Sequence, residues 1–185
     1  MVDEYYPKET TGRAAAREIC DWVESGMVAV ICVVLLFTFI ARISDVDGVS
    51  MQPTLEHQDR LVITRLGLGP SQGDIVVVTL PGREDMPYVK RVIATGGQTI
   101  DINFETGQVF VDGQLLDEPY LREPTSRSAD VSFPRTVPYG HVFILGDNRN
   151  NSRDSRNSCI GMVDERNILG RTVFRVWPFQ RAGRP

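Results

Sequence analysis

A mainly β fold preceded by a single transmembrane helix is the architecture that this sequence predicts, and three observations predict it. Residues 25–41 (SGMVAVICVVLLFTFIA) run without a charge, as a membrane span does. After Ile43 the apolar residues come in short runs of period two, broken by Gly, Pro and Asp, which is the pattern of half-buried strands. Residues 44–185 carry no long amphipathic helical repeat, and only Val163–Asn167 reads as a helical turn. The chain has 185 residues, 42% of them hydrophobic, enough for one compact all-β domain behind the span.

Taken in order, the N-terminal segment (1–24) is charged and is followed by the span, residues 25–43. At ~1.5 Å per residue the uncharged run rises roughly 26 Å, slightly less than the ~30 Å hydrocarbon core, so Trp22 and a snorkelling Arg42 would mark its interfaces. Against the alternative of a core helix, a soluble helix would show a polar stripe, which the run lacks. The region Ser44-Asp45-Val46 has no small-x-small cleavage pattern, so the span reads as an uncleaved anchor. Lys8, Arg13 and Arg17 ahead of it, against Arg42 behind it, favour a cytoplasmic N-terminus and an extracytoplasmic domain (44–185).

Strands are expected at Leu61–Arg65, Asp74–Leu80, Tyr88–Ala94, Thr99–Asn103, Gln108–Val111 with Gln114–Leu116, His141–Leu145 and Thr172–Val176. Asp112-Gly113 marks a hairpin, because glycine accepts the positive φ of a tight turn. The stretch from Asp117 to Pro138 contains four prolines and is expected to be a long surface excursion.

Composition removes several function classes. The formal charge is −4, with 20 Lys+Arg against 24 Asp+Glu and no polybasic segment, which argues against nucleic acid as a partner. Cys20, Cys32 and Cys159 are too few and too scattered for a disulfide framework, and with two histidines they make no zinc pattern. No metal or cofactor is expected.

Three segments carry chemistry. The chain has two lysines against eighteen arginines, and Lys90 is the lysine of the β domain. Lysine, unlike arginine, becomes a neutral base when desolvated. Taken alone, Lys90 reads either as that base or as a charge blunting an edge strand. Ser50 lies in Gly48-Val49-Ser50-Met51-Gln52-Pro53, either an ordinary turn serine or a hydroxyl presented beside main-chain N–H groups. Gly146 to Arg156 (GDNRNNSRDSR) succeeds an apolar strand. It fails as a calcium loop, since no glycine is sixth from Asp147 and Ser158 stands where the bidentate Glu belongs. It reads as a solvated turn or as a polar frame that orients a catalytic group.

Together, the anchor, Ser50-Met51-Gln52-Pro53-Thr54-Leu55, Gly73-Asp74-Ile75-Val76-Val77-Val78, Tyr88-Val89-Lys90-Arg91-Val92-Ile93 and Gly146–Arg156 resemble the bacterial type I signal peptidases. These are membrane-anchored Ser/Lys proteases, and the likeness is to the compact, single-anchor Gram-positive type. The resemblance implies Ser50 as nucleophile, Lys90 as general base, Ser152 as a hydroxyl holding the lysine amine, and Asp154 with Arg156 as structural support. Many such proteases have a serine two residues before the nucleophile. Here it is Gly48, so an oxyanion hole would rest on the Ser50 N–H and the Gly48 backbone. His57 and His141 are expected to be bystanders. The resemblance further implies a signal peptide lying extended beside Val46, Tyr88 and Val89, cleaved after small residues (Ala-x-Ala), with membrane lipid and transiently the secretion translocon as further partners. The short link from Ile43 to Ser50 brings the site close to the membrane, with Met51 and Trp177-Pro178-Phe179 as expected lipid contacts, although Trp177 serves a core equally well. Other Ser/Lys proteases and a non-catalytic peptide-binding β domain are the competing classes.

Overall fold

The computed structural model describes residues 11–35, 41–67 and 69–185. The chain divides into two compact units, Met1–Ile40 and Ala41–Pro185. In the first, α1 spans Thr11–Leu35 and takes in the charged residues Arg17, Glu18, Asp21 and Glu24 ahead of its apolar end. Among the described residues no helix is long and apolar enough to cross a membrane. The expected span, 25–43, divides in three. Residues 25–35 end α1, 36–40 lie outside the described residues, and 41–43 are strand.

That strand corrects the expected boundary. β1 (Ala41–Asp45) pairs antiparallel with β2 (Arg60–Thr64), with Ala41 opposite Thr64 and Ile43 opposite Val62. The apolar run feeds directly into an edge strand, and hydropathy alone does not separate a span from the strand after it. Beyond these come β3 (Ile75–Leu80), β4 (Arg83–Thr95), β5 (Thr99–Asn103), β6 (Gln108–Val111), β7 (Gln114–Leu115), β8 (Arg135–Thr136), β9 (His141–Leu145), β10 (Val163–Asp164) and β11 (Ile168–Trp177). A 3-10 turn at Glu165–Asn167 occupies the expected helical turn.

The strands form two antiparallel sheets. The larger has the order β1-β2-β11-β3-β4-β9-β10 and the smaller β7-β6-β5-β8. Period-two alternation gives the large sheet two apolar faces. Val76, Val78, Val92, Val142 and Ile144 pack on one, and Leu61, Ile63, Ile75, Val77 and Val89 on the other. Ile100, Ile102, Val109 and Val111 of the small sheet close a third cluster over Ile93, Phe143 and Leu145.

β4 is the strand that positions the site. It starts earlier than its apolar residues suggest, because its first half pairs with β3 while β9 joins only from Arg91 onward. The proline-rich stretch also departs from expectation. Its Arg122, Glu123 and Ser126 are exposed, but Thr125, Val131 and Val137 are buried, so the excursion is stitched into the domain.

Candidate active site

Packing on its C-terminal side sets the Ser50 turn. Met51 is 1% exposed and Leu55 is fully buried, both in the apolar cluster with Leu61, Ile75 and Val89, so they lift Ser50 to the surface of that cluster. Met51 is therefore a core residue and not the expected lipid contact: an unbranched apolar side chain fills the gap beneath the turn. Gly48 precedes Ser50 with φ +91°, a conformation that favours glycine.

Lys90 comes from β4 with 3% of its surface exposed. Its Nζ donates to Ser50 Oγ at 2.7 Å and to the Val89 carbonyl at 2.9 Å. The Tyr88 ring centroid lies 5.7 Å away. Burial lowers the Lys90 pKa from 10.5 to about 8, against the opposing pull of Asp154 and Asp147; desolvation disfavours the ammonium more than these carboxylates restore it. The two candidates thus meet as a hydroxyl and an amine able to be neutral in mildly alkaline solution.

The 146–156 loop frames the pair. Its Asn148 donates from the backbone to the Ser50 carbonyl at 3.0 Å and from the side chain to the Val49 carbonyl at 3.1 Å. A Cβ on Gly146 would lie 2.2 Å from Ser152 Oγ and 2.5 Å from the Ser50 carbonyl oxygen, so this close approach excludes any side chain there. Asp154 and Arg156 form the expected support: Arg156 Nε and Nη2 reach the two carboxylate oxygens at 2.8 and 2.9 Å, and Asp154 also accepts the Gly146 N–H.

Four expectations are corrected. Ser152 does not hold the amine: its Oγ is buried without a hydrogen-bond partner, and the bonds of Lys90 go to Ser50 and Val89. Val46 does not line the groove, because its side chain is in the core and its N–H and C=O pair with Asp59 and Gln58. The Gly48 N–H donates to His57 Nδ1 at 3.3 Å, which occupies that oxyanion donor. His57 is consequently no bystander, holding Gly48 and lying 3.3 Å from Asp47.

The strongest polar links had no assigned role in the sequence. Arg91, next to Lys90, forks onto Asp147 at 2.9 and 2.7 Å, and Asp147 accepts from Thr54 Oγ1 at 2.5 Å. One carboxylate thus joins the Lys90 strand, the loop and the Ser50 turn. Arg149, 0% exposed, pairs with Glu118 and Thr125 from the proline-rich stretch, and the Tyr120 ring stacks 4.0 Å from the Arg91 guanidinium. Asp147 stands two residues past the end of an apolar strand, the one signal that marks it; Glu118 has none.

Ser50 and Lys90 open into a groove of about 360 Å³ between the Asp45–Ser50 arm and the Asp85–Val89 part of β4, with Tyr88 and Val89 in its lining. Comparison with known proteins decides the family. Residues 19–177 match the family described as "Signal peptidase, peptidase S26".

The chain belongs to the signal peptidase family.

It is accordingly a serine endopeptidase that removes signal peptides. A probable signal peptidase I-1 of Synechocystis sp. is 39% identical, over 85% of this chain and 82% of its own. Signal peptidase I S of Bacillus subtilis is 34% identical over 88% and 91%, and signal peptidase IB of Staphylococcus aureus 33% over 88% and 92%. A crystal structure of a signal peptidase I from Enterococcus faecalis is 27% identical, covering 56% of this chain and 97% of its own, with a TM-score of 0.48.

Proposed function

We propose that this signal peptidase works by a Ser50/Lys90 dyad, cutting extended signal peptides after small residues of the Ala-x-Ala type. The observation that carries this reading is the 2.7 Å contact between Ser50 Oγ and a Lys90 amine that is almost wholly buried. The neutral amine takes the Ser50 proton as Oγ attacks the scissile carbonyl carbon, and the Ser50 N–H faces the developing oxyanion. The ammonium returns that proton to the leaving amine as the C–N bond breaks. Lys90 then deprotonates the water that hydrolyses the acyl-enzyme. Asp154 with Arg156, and Asp147 with Arg91, keep the loop and the base strand in register. The signal peptide pairs as an added strand against β4 before Arg91, where β4 has β3 as its strand neighbour, with Tyr88 and Val89 beside it.

Residues 25–40 anchor the enzyme in the membrane, with residues 1–24 cytoplasmic and 41–185 extracytoplasmic; the uncharged run supports this. The exposed Ile43, Phe174, Trp177 and Phe179 face lipid, and contact with the translocon is transient.

Preprotein cleavage by Ser50→Ala, Lys90→Ala and Lys90→Arg, each checked by thermal melting, tests the dyad. All three are expected to be folded and inactive, since arginine supplies charge but no base. Activity of the wild type is expected to rise with pH along a limb near the Lys90 value of about 8. Appreciable turnover by Lys90→Arg would overturn the mechanism. Brominated lipid is expected to quench Trp177 in a Trp22→Phe protein, and an absence of quenching removes the lipid contact.

A further inference from the structure

The groove holding Ser50 and Lys90 continues into a second cavity, and Asn151 and Arg153 line both. This cavity, about 390 Å³, lies between residues 127–130 and the 151–157 segment and is lined by Arg127, Arg153 and Arg156. Such a concentration of guanidinium groups stands out in a chain of net charge −4. Arg156 is neutralised by Asp154. The cavity's own carboxylate, Asp130, is engaged by the Ser158 N–H and hydroxyl. Arg127 reaches the Asn150 carbonyl at 3.4 Å, and Arg153 has no carboxylate partner among the described residues. Two guanidinium groups are therefore available to an anion. The opposite arms of the groove have the other sign: Asp45, at the end of β1, is paired with Arg60 at 3.2 Å, and Asp47 just beyond it and Asp85 on β4 carry the remaining acidic charge.

We propose that the arginine-lined cavity receives an acidic side chain of the preprotein just beyond the scissile bond, so that the enzyme selects substrates by charge at the start of the mature chain. The proposal rests on the Ser50/Lys90 reading. In that reading the segment ahead of the bond pairs along β4, between the acidic arms. The chain beyond Ser50 then leaves over Asn151 and Arg153. Guanidinium forks match carboxylates in geometry and charge, whereas an acidic residue ahead of the bond meets Asp47 and Asp85 and is repelled.

The test uses a peptide with Ala-x-Ala ahead of the bond and Glu, Gln or Lys at each of the first two positions after it. Affinity is read by fluorescence anisotropy on the full-length Ser50→Ala protein, and kcat/KM on the active enzyme. The Glu peptide is expected to bind ~5-fold more tightly than Gln, and Lys more weakly, in low salt; the differences shrink to within about twofold near 0.5 M salt. In Arg127→Gln/Arg153→Gln the Glu and Gln peptides are expected to bind alike. Equal binding by the parent protein, or a Glu preference that survives in the double variant, would overturn the proposal. So would a Glu preference confined to positions ahead of the bond. Because binding is read without turnover, cleavage by Lys90→Arg would defeat the dyad and leave the charge order to be decided separately.

Discussion

The turn that carries Ser50 and the 146–156 loop beside it are held by opposite means. Met51 and Leu55 sink the turn into an apolar cluster. The loop is held by buried ion pairs, Asp154 with Arg156, Arg149 with Glu118 and Asp147 with Arg91. Apolar packing fixes depth and tolerates similar shapes. Buried pairs fix direction, since a forked contact has one geometry, and they fail badly when one partner is lost. Ser50 is thus placed by volume, and its frame by charge.

The sharpest way to break this contrast is Asp154→Ala. It strands the Arg156 guanidinium and removes the acceptor of the Gly146 N–H, so a loss of about 3–5 kcal/mol is expected in urea unfolding. Replacing both partners, Asp154→Leu with Arg156→Met, is expected to recover much of that loss, because no charge is left buried alone. No recovery would mean that shape, not charge, holds the loop. On the apolar side, Leu55→Ala is expected to cost about 3 kcal/mol by leaving a cavity under the turn, while Leu55→Met costs less than about 1.5 kcal/mol. Equal losses from the two would show that the turn too demands one geometry.

Lys90 lies between the two regimes, and its stability signature has a definite sign. Its pKa falls from 10.5 to about 8 on folding, so between those values the unfolded chain binds more protons and stability rises with pH. Below about pH 8 the charged lysine is a constant penalty. For this shift the difference is roughly 3 kcal/mol at full extent. Urea unfolding of the wild type against Lys90→Met is expected to show the wild type gaining stability from pH 8 to 10.5 relative to the variant. A parallel pair of curves would show that burial does not depress this amine. The smallest effect is expected at Cys159, which is exposed: Cys159→Ser should change stability by less than about 0.5 kcal/mol and keep preprotein cleavage. A larger loss would place Cys159 in one of the two frames.

The same contrast explains what was legible in the sequence. The strands at Thr99–Asn103, Gln108–Val111 and His141–Leu145 match the expected bounds residue for residue, because alternation is a local signal. Ser50 and Lys90 were marked by a constrained turn and by lysine scarcity. Asp154 with Arg156 was named through the resemblance; the two long-range ion pairs were not, since Arg149 meets Glu118 across 31 residues and Arg91 meets Asp147 across 56, and no periodicity links such positions. β1 escaped notice because an apolar run that precedes a strand hides where the strand starts. Ser152 was assigned to Lys90, whereas the loop is anchored through its neighbours Arg149, Asp154 and Arg156.

The Asp147 carboxylate binds Thr54, 93 residues earlier in the chain, as well as Arg91. During synthesis, therefore, Ser50 and Lys90 both emerge well before the residue that ties their supports together. A growing chain holds the reactive hydroxyl and the amine but no frame to keep them 2.7 Å apart. Asp147 thus comes last of the three parts that it joins, and the supports of Ser50 and Lys90 can be tied together only once the chain extends that far.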